Sequence, residues 1–246
     1  MNNISLEKII NKKLNSEKIK DYCPNGLQIE GTSEINNIIC GVTASQELID
    51  IGIKNNVDAI IVHHGYFWKN EKKIIRGIMK NRIKSILDNN INLYSWHLPL
   101  DIHEKLGNNV QIAKKLNINI KGNILPYVLW GEFDSYITGT ELFHRIKSKY
   151  CRTPLHFDQK FKKIKKIAWC SGKGQSFFHD AINFKIDAYI TGEVSEETMH
   201  IAKENKVHFF SSGHHATECD GIKKLGLWLS KNFDLNVQFI NLNNPV

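Results

Sequence analysis

Short β-branched runs alternate with amphipathic helical stretches in the first half of the chain. Residues 37–42 and 58–62 are β-branched runs that predict strands, and residues 91–95 predict a third strand. Apolar residues recur at helical spacing in the stretch that begins near Ser45 and again across residues 74–87. This βαβαβ order predicts a parallel sheet flanked by helices.

The second half of the chain has the same alternation. Residues 164–170, 187–191 and 207–211 predict strands, while 175–184 and 195–205 predict the helices between them. A further strand is expected at the C-terminus, over residues 237–242. The fold class predicted from these patterns is therefore α/β, with mainly parallel sheets.

The two halves also match in the spacing of individual residues. Gln46 precedes Asp58 by the same interval that separates Gln175 from Asp187. This repeated spacing favours two similar α/β lobes with a cleft between them, although any two βαβ units share some likeness. The expected division is a first lobe of residues 1–122, completed by residues 212–246, and a second lobe of residues 123–211.

The apolar pattern, the N-terminal segment and the cysteines favour a soluble, cytoplasmic protein. Of its 246 residues 41% are apolar, yet no apolar run approaches the length of about 20 residues that a membrane span requires. Residues 1–14 have the spacing of an amphipathic helix and no small-residue cleavage site, so a secretory leader is not expected. The five cysteines form no C-x-x-C pair, which favours reduced thiols.

The net charge of +8 raises the question of a nucleic-acid partner. The lysines are spread along the chain, and only residues 160–166 form a dense basic cluster. A solvated basic surface is therefore favoured over a DNA-binding groove.

Candidate chemistry begins where the second predicted strand ends. His63 and His64 close this apolar strand and are followed by Gly65, which permits a sharp turn. Neighbouring strand residues point to opposite faces, so the two imidazoles share one site only if the chain departs from strand geometry there. They could instead bind two adjacent ions, or one could be packed and the other solvated.

Two further strand ends carry side chains of the same type. His97 and Asp101 follow the third strand, although Asp101 could equally cap a turn. His214 and Glu218 follow residues 207–211 and would share one face of a helix at i and i+4. Alternatively, Glu218 could complement the helix dipole.

Together these positions predict a metal centre. Three imidazoles and two carboxylates exceed the needs of a structural zinc site but leave open positions around two divalent ions. With these donors Zn, Fe, Mn, Co and Ni are all compatible, whereas Ca and Mg are less favoured. The predicted metal ligands are His63, His64, Asp101, His214 and Glu218.

His97 and Glu193 are the candidates for proton transfer. Glu193 follows the strand at residues 187–191, where a carboxylate could move a proton for water. An equally supported alternative is that Glu193, Glu196 and Glu197 favour a helix N-terminus.

These motifs resemble those of the YbgI-like dinuclear-metal family, catalogued as GTP cyclohydrolase 1 type 2 homologues. The resemblance extends over nearly the whole chain. It is carried by the segments Asp21-Tyr-Cys-Pro-Asn-Gly-Leu-Gln, Gly41-Val-Thr-Ala-Ser-Gln, His63-His-Gly-Tyr-Phe-Trp, Trp96-His-Leu-Pro-Leu-Asp, Ile190-Thr-Gly-Glu-Val-Ser-Glu and Gly213-His-His-Ala-Thr-Glu.

The resemblance implies two similar α/β lobes, a dinuclear centre and a homohexameric ring. The family's ligand pattern falls on the same predicted ligands and selects His214 rather than His215. The family name implies hydrolytic opening of a guanine imidazole ring at C8.

The leading hypothesis is a dinuclear-metal-dependent hydrolase of a purine-like or nucleotide-like heterocycle, with GTP cyclohydrolase-type ring opening as one form. The alternative is a metal-handling or metal-regulated binding module that forms a ring without turnover. A ring that threads DNA is a third hypothesis, disfavoured by the diffuse charge.

Overall fold

The computed structural model describes residues 1–246, which form two compact units. The first unit comprises Met1–Gly107 and Cys219–Asn243, and the second comprises Asn108–Glu218 and Asn244–Val246. Residues 108–122, 212–218 and 244–246, which the sequence pattern had grouped with the first lobe, thus lie in the second unit. None of the helices combines the length and apolar character that crossing a bilayer would require. None of the five cysteines forms a disulfide.

Nine α-helices and eleven strands make up the two units. The helices are α1 (Asn3–Leu14), α2 (Gln46–Lys54), α3 (Ile78–Asp88), α4 (Leu98–Ile102), α5 (Asn108–Leu116), α6 (Gly139–Tyr150), α7 (Phe178–Asn183), α8 (Thr198–Asn205) and α9 (His214–Asn232). The strands are β1 (Gly26–Ile29), β2 (Asn37–Thr43), β3 (Ala59–His64), β4 (Asn92–Ser95), β5 (Asn119–Leu125), β6 (Val128–Ile137), β7 (Leu155–Phe157), β8 (Ile164–Trp169), β9 (Ala188–Thr191), β10 (His208–Ser211) and β11 (Asn236–Phe239).

The first unit contains a five-stranded sheet in the order β1-β4-β3-β2-β11. The four strands β4, β3, β2 and β11 are parallel, and only β1 runs antiparallel, at the edge. Helices cover both faces, which is why β3 is buried from Ala59 to His63 and reads as a continuous apolar run. This sheet confirms the parallel βαβαβ arrangement predicted from the sequence.

The second unit contains a six-stranded sheet in the order β5-β6-β8-β9-β10-β7. Its centre, β8, β9 and β10, is parallel, whereas β5, β6 and β7 pair antiparallel. The sheet is therefore mixed rather than mainly parallel. A tight hairpin joins β5 and β6 and can only connect antiparallel strands, while β6 and β7 also pair antiparallel, with β8 and β10 respectively.

The aspartates of the repeated Gln–Asp spacing make equivalent hydrogen bonds in the two sheets. The Asp58 carboxylate accepts from the backbone N–H groups of Asn36 and Asn37, both at 2.8 Å. The Asp187 carboxylate accepts likewise from Lys165 at 3.0 Å and Lys166 at 2.9 Å. Each aspartate thus ties the start of one parallel strand to the start of its neighbour, and the strand order β4-β3-β2 matches β10-β9-β8.

Each unit has its own apolar core on both faces of its sheet. In the first unit α1 buries Leu6, Ile10 and Leu14, which lie four residues apart on one helix face. The second unit buries Trp169 and Phe210 on one face and Tyr189 and Phe209 on the other. Alternation along the strands separates these aromatic side chains between the two faces.

Helix α3 begins later than its apolar pattern predicts. The stripe starts at Ile74, but the helix starts at Ile78, directly after Gly77 with φ of +58°. Ile74, Ile75 and Ile78 are 54%, 59% and 71% exposed. The early isoleucines therefore form an apolar surface instead of facing the core.

Candidate metal centre

In the first unit, candidate ligands follow the carboxyl ends of the adjacent parallel strands β3 and β4. His63 is fully buried and His64 half-buried, and their ring centroids lie 4.7 Å apart. The His97 ring lies 5.1 Å from that of His63 and 5.7 Å from that of His64. One nitrogen from each of the three rings falls within 4.8 Å of the others, close enough to share an ion.

The orientation of His63 leaves Nε2 as its metal-binding nitrogen. Nδ1 lies 3.0 Å from the carbonyl oxygen of Trp96, and only a protonated Nδ1 can donate to that oxygen. Nε2 lies 3.4 Å from Oδ1 of Asp101, a buried residue of α4. This separation is close to that of two ligands on one ion at bond lengths of about 2.1 Å.

His97 is held by an aspartate far away in the sequence. Its Nδ1 lies 2.8 Å from Oδ1 of Asp21, and the other Asp21 oxygen accepts from the backbone N–H of Leu98 at 2.8 Å. Burial opposes the Asp21 charge, but the hydrogen bond and charge of His97 lower the pKa of this carboxyl below its usual value. The side-chain oxygen of Asn25 also accepts from the backbone N–H of His97 at 2.8 Å. The Asp21 segment therefore positions the imidazole.

Cys23 is close to Asp21 and His97 but is a poor metal ligand. Burial, helped by the charge of Asp21, raises the pKa of its thiol to about 12. Because the thiolate is the form that binds metal, an imidazole and carboxylate site is favoured over one that includes this sulfur.

In the second unit, His214 and Glu218 lie one turn apart at the start of α9. Nε2 of His214 is 3.0 Å from Oε2 of Glu218, as the i and i+4 spacing requires. Gly172, with φ of +58°, makes room for them: a Cβ there would fall 2.0 Å from Oε1 of Glu218. This glycine was not identified from the sequence.

Glu193 contacts a candidate ligand directly. Its Oε1 lies 2.7 Å from Nδ1 of His214, and its Oε2 accepts from the Gln175 side-chain amide at 3.2 Å. Burial opposes the charged ring, but hydrogen bonds and charge from Glu218 and Glu193 raise the pKa of His214 to about 9. The two carboxylates thus favour the charged form of the ring.

These arrangements fit divalent transition-metal ions. The donors are imidazole nitrogens and carboxylate oxygens at buried positions, and the second ring nitrogens of His63 and His214 are fixed by protein acceptors. His63, His64, His97 and Asp101 lie in the first unit, and His214, Glu218 and Glu193 lie in the second. Asp21 and Gly172 are the supporting residues that the sequence interpretation missed.

The fold and these donors define an α/β protein with candidate metal-binding clusters. The family model for Duf34/NIF3 (NGG1p interacting factor 3) matches residues 1–245, and the chain belongs to this family. This match confirms the resemblance drawn from the sequence motifs.

Individual relatives are similar in sequence to this protein over its full length. A protein of Buchnera aphidicola subsp. Schizaphis graminum is 59% identical over 246 residues, and one of Escherichia coli K12 is 52% identical, with complete coverage of both chains in each case. Both are named GTP cyclohydrolase 1 type 2 homolog. A solved structure described as "protein ybgI, unknown function" has a TM-score of 0.98 at 51% identity, with 100% of each chain covered.

Proposed function

We propose that this protein is a dinuclear-metal-dependent hydrolase of a purine-like or nucleotide-like heterocycle. The observation that carries the proposal is the His97–Asp21 pair, which lies beside the His63 and His64 rings in the first unit. An imidazole held by a carboxylate next to candidate metal ligands has the arrangement of a general acid or base.

We propose that each chain binds about two divalent ions. The proposed ligands are His63, His64, Asp101, His214 and Glu218. Bound divalent ions of this kind supply a water nucleophile at neutral pH and stabilise developing negative charge. The protein's contribution is to hold the donor atoms: Trp96 fixes the His63 ring, and Gly172 leaves space for Glu218.

The two candidates for proton transfer receive different roles. His97 is proposed to move a proton through Nε2, because its Nδ1 is engaged by Asp21. Both oxygens of Glu193 are engaged, one by His214 and the other by Gln175. We therefore propose that Glu193 acts through His214, as a positioning residue.

The substrate class rests on the motifs and on the printed name of the relatives. That name describes a homolog of GTP cyclohydrolase 1 type 2, and a GTP cyclohydrolase is a hydrolase of a guanine nucleotide. We extend it to this chain as ring opening of a guanine-type heterocycle.

The proposal is tested by incubating the metal-loaded protein with GTP, other guanine nucleotides and related purines, with product analysis by mass spectrometry. His97→Gln should retain its metal and lower kcat by about 10²- to 10⁴-fold, as expected for a lost general acid or base. The matched control is His200→Asn, which removes an exposed imidazole on α8.

One result would count against this function, and another would change the role of His97. Absence of turnover with every purine and every compatible metal would remove the hydrolase proposal. Loss of metal from His97→Gln would instead make His97 a ligand, in agreement with its proximity to His63 and His64.

A second candidate function is a metal-regulated binding module that assembles into a homohexameric ring. The exposed isoleucines of residues 74–78 favour self-association, because contiguous apolar side chains on a surface often mark an interface. Metal-dependent assembly without turnover is the outcome that would select this function.

A further inference from the structure

The second unit contains another group of potential metal ligands, on β7, β10 and the residue after β7. The group consists of His156, Asp158 and His208. In the antiparallel pairing His156 faces Phe210, so His208, two residues away, projects from the same face of the sheet. Asp158 is two residues beyond His156 and follows the same alternation. Strand geometry thus gathers all three side chains on one face.

The distances within this group match those of ligands around one ion. Nε2 of His156 lies 3.2 Å from Nδ1 of His208, and Oδ1 of Asp158 lies 3.4 Å from Nδ1 of His208 and 3.8 Å from Nε2 of His156. Tetrahedral coordination at bond lengths of about 2.0–2.1 Å separates neighbouring ligand atoms by about 3.3 Å. The triangle of donor atoms is therefore nearly of the size that a tetrahedral ion requires.

The surroundings hold the two rings in this orientation. His208 is buried, and its Nε2 donates to the carbonyl oxygen of Lys162 at 2.9 Å, which leaves Nδ1 as the nitrogen that can bind metal. The His156 ring stacks on Phe210, with centroids 4.0 Å apart. At Gly139 a Cβ would lie 2.8 Å from Nδ1 of His208 and 2.9 Å from Oδ1 of Asp158, so a side chain there would crowd these donors.

We propose that His156, Asp158 and His208 form an auxiliary site for one divalent transition-metal ion, separate from the principal ligand set. Imidazole and carboxylate donors suit Zn²⁺ and Co²⁺, and the exposed side of Asp158 leaves a fourth position for water. The ion would join the edge strand β7 to β10 and fix the start of the lysine-rich segment 160–166.

Metal binding has to replace existing hydrogen bonds. Nδ1 of His208 accepts from the Gln159 N–H at 3.2 Å and lies within hydrogen-bond distance of Nε2 of His156. For both rings to bind an ion, His156 must carry its proton on Nδ1, and the Gln159 N–H must turn to another acceptor. The alternative is a pair of imidazoles joined only by a shared proton, and metal binding distinguishes the two.

The test uses full-length protein in which the principal ligands are removed by His63→Ala and Glu218→Ala. After chelation and dialysis against Co²⁺, this parent should retain about one ion per chain, measured by elemental analysis. Adding His156→Asn or Asp158→Asn should lower Co²⁺ affinity at least tenfold. Adding His179→Asn, which changes an exposed imidazole on α7 of the same unit, should leave it unchanged.

Equal Co²⁺ binding by the parent, His156→Asn and Asp158→Asn would overturn the auxiliary site, as would a folded parent that binds no metal. Circular dichroism confirms that each variant is folded. If the parent does not fold, the same substitutions in the wild-type chain should lower metal content by about one ion per chain, and unchanged content would again refute the site. None of these outcomes depends on hydrolase activity.

Discussion

At the residue scale, the chemistry of the histidines depends on what holds the second ring nitrogen. A backbone carbonyl holds Nδ1 of His63, Asp21 holds Nδ1 of His97, and Glu193 holds Nδ1 of His214. Such partners fix the ring orientation and raise the basicity of the nitrogen that faces an ion. Residues outside the ligand set therefore determine the orientation and the basicity of the three imidazoles.

The role of Glu193 leads to a prediction about metal affinity. Glu193→Ala should weaken metal binding by about 10- to 100-fold, because the His214 ring loses its partner. The metal affinity of Glu193→Gln should remain closer to that of the wild type, since its amide oxygen can still accept a hydrogen bond from Nδ1 of His214. Metal titration by calorimetry measures both, with Glu196→Ala as the control because that side chain is 88% exposed. Full metal affinity in Glu193→Ala, combined with a large loss of kcat in Glu193→Gln, would contradict the positioning role. Glu193 would then be assigned to proton transfer.

The candidate ligands could be predicted from the sequence because local signals mark them. His63 and His64 end an apolar run, and His214 and Glu218 have helical spacing. Their supporting contacts have no local signal. His97 and Asp21 are 76 residues apart, so only the fold brings them together.

At the scale of elements, a capping box defines the start of α6. Its capping box joins Thr138 and Glu141: the Glu141 N–H donates to the threonine hydroxyl at 3.1 Å, and the carboxylate accepts from the Thr138 N–H at 2.6 Å. The Thr138 backbone N–H and hydroxyl together lower the pKa of Glu141 below its ordinary value of 4.5.

This cap predicts a pH-dependent contribution to stability. Because the folded pKa of Glu141 is lower than the unfolded pKa, its contribution is present above about pH 4.5 and is lost as the pH falls through the folded value. Glu141→Ala should therefore be less stable than the wild type at pH 7, with a smaller difference near pH 3. Urea unfolding at both pH values measures this, and Glu204→Ala on α8 is the control. An equal difference at both pH values would contradict the assignment.

The parallel strands of both sheets could be predicted, whereas the antiparallel strands β1, β5, β6 and β7 could not. The parallel strands β2, β3 and β4 are buried and have helices between them. The edge strands β1 and β7 contain only four and three residues, and neither contains a β-branched run. Ile74 and Ile75 follow helical spacing but lie before α3. The apolar pattern alone does not show that the helix begins only after Gly77.

At the scale of the whole molecule, each unit has apolar clusters on both faces of its sheet, formed mainly by aliphatic and aromatic side chains. The fold should therefore not depend on metal, in contrast to small zinc domains. Chelation should remove metal and any turnover while the far-ultraviolet circular dichroism signal stays unchanged. Simultaneous loss of metal and helix signal would show that the ions are structural.

The proposed ring predicts a role for the exposed isoleucines. Ile75→Asp and Ile78→Asp should reduce the molar mass measured by light scattering, because a buried carboxylate would destabilise an apolar interface. Tyr136→Asp is the control, since Tyr136 is also exposed but lies in the second unit. An unchanged mass for both isoleucine variants would exclude this surface from the assembly.

The central claim is that His63, His64, Asp101, His214 and Glu218 bind divalent metal, and anomalous diffraction from metal-loaded crystals tests it most directly. Data collected at the absorption edge of the metal locate each ion without reference to activity. The account predicts about two anomalous peaks per chain within bonding distance of these side chains. Crystals that contain the metal but show no peak beside any of these residues would contradict it.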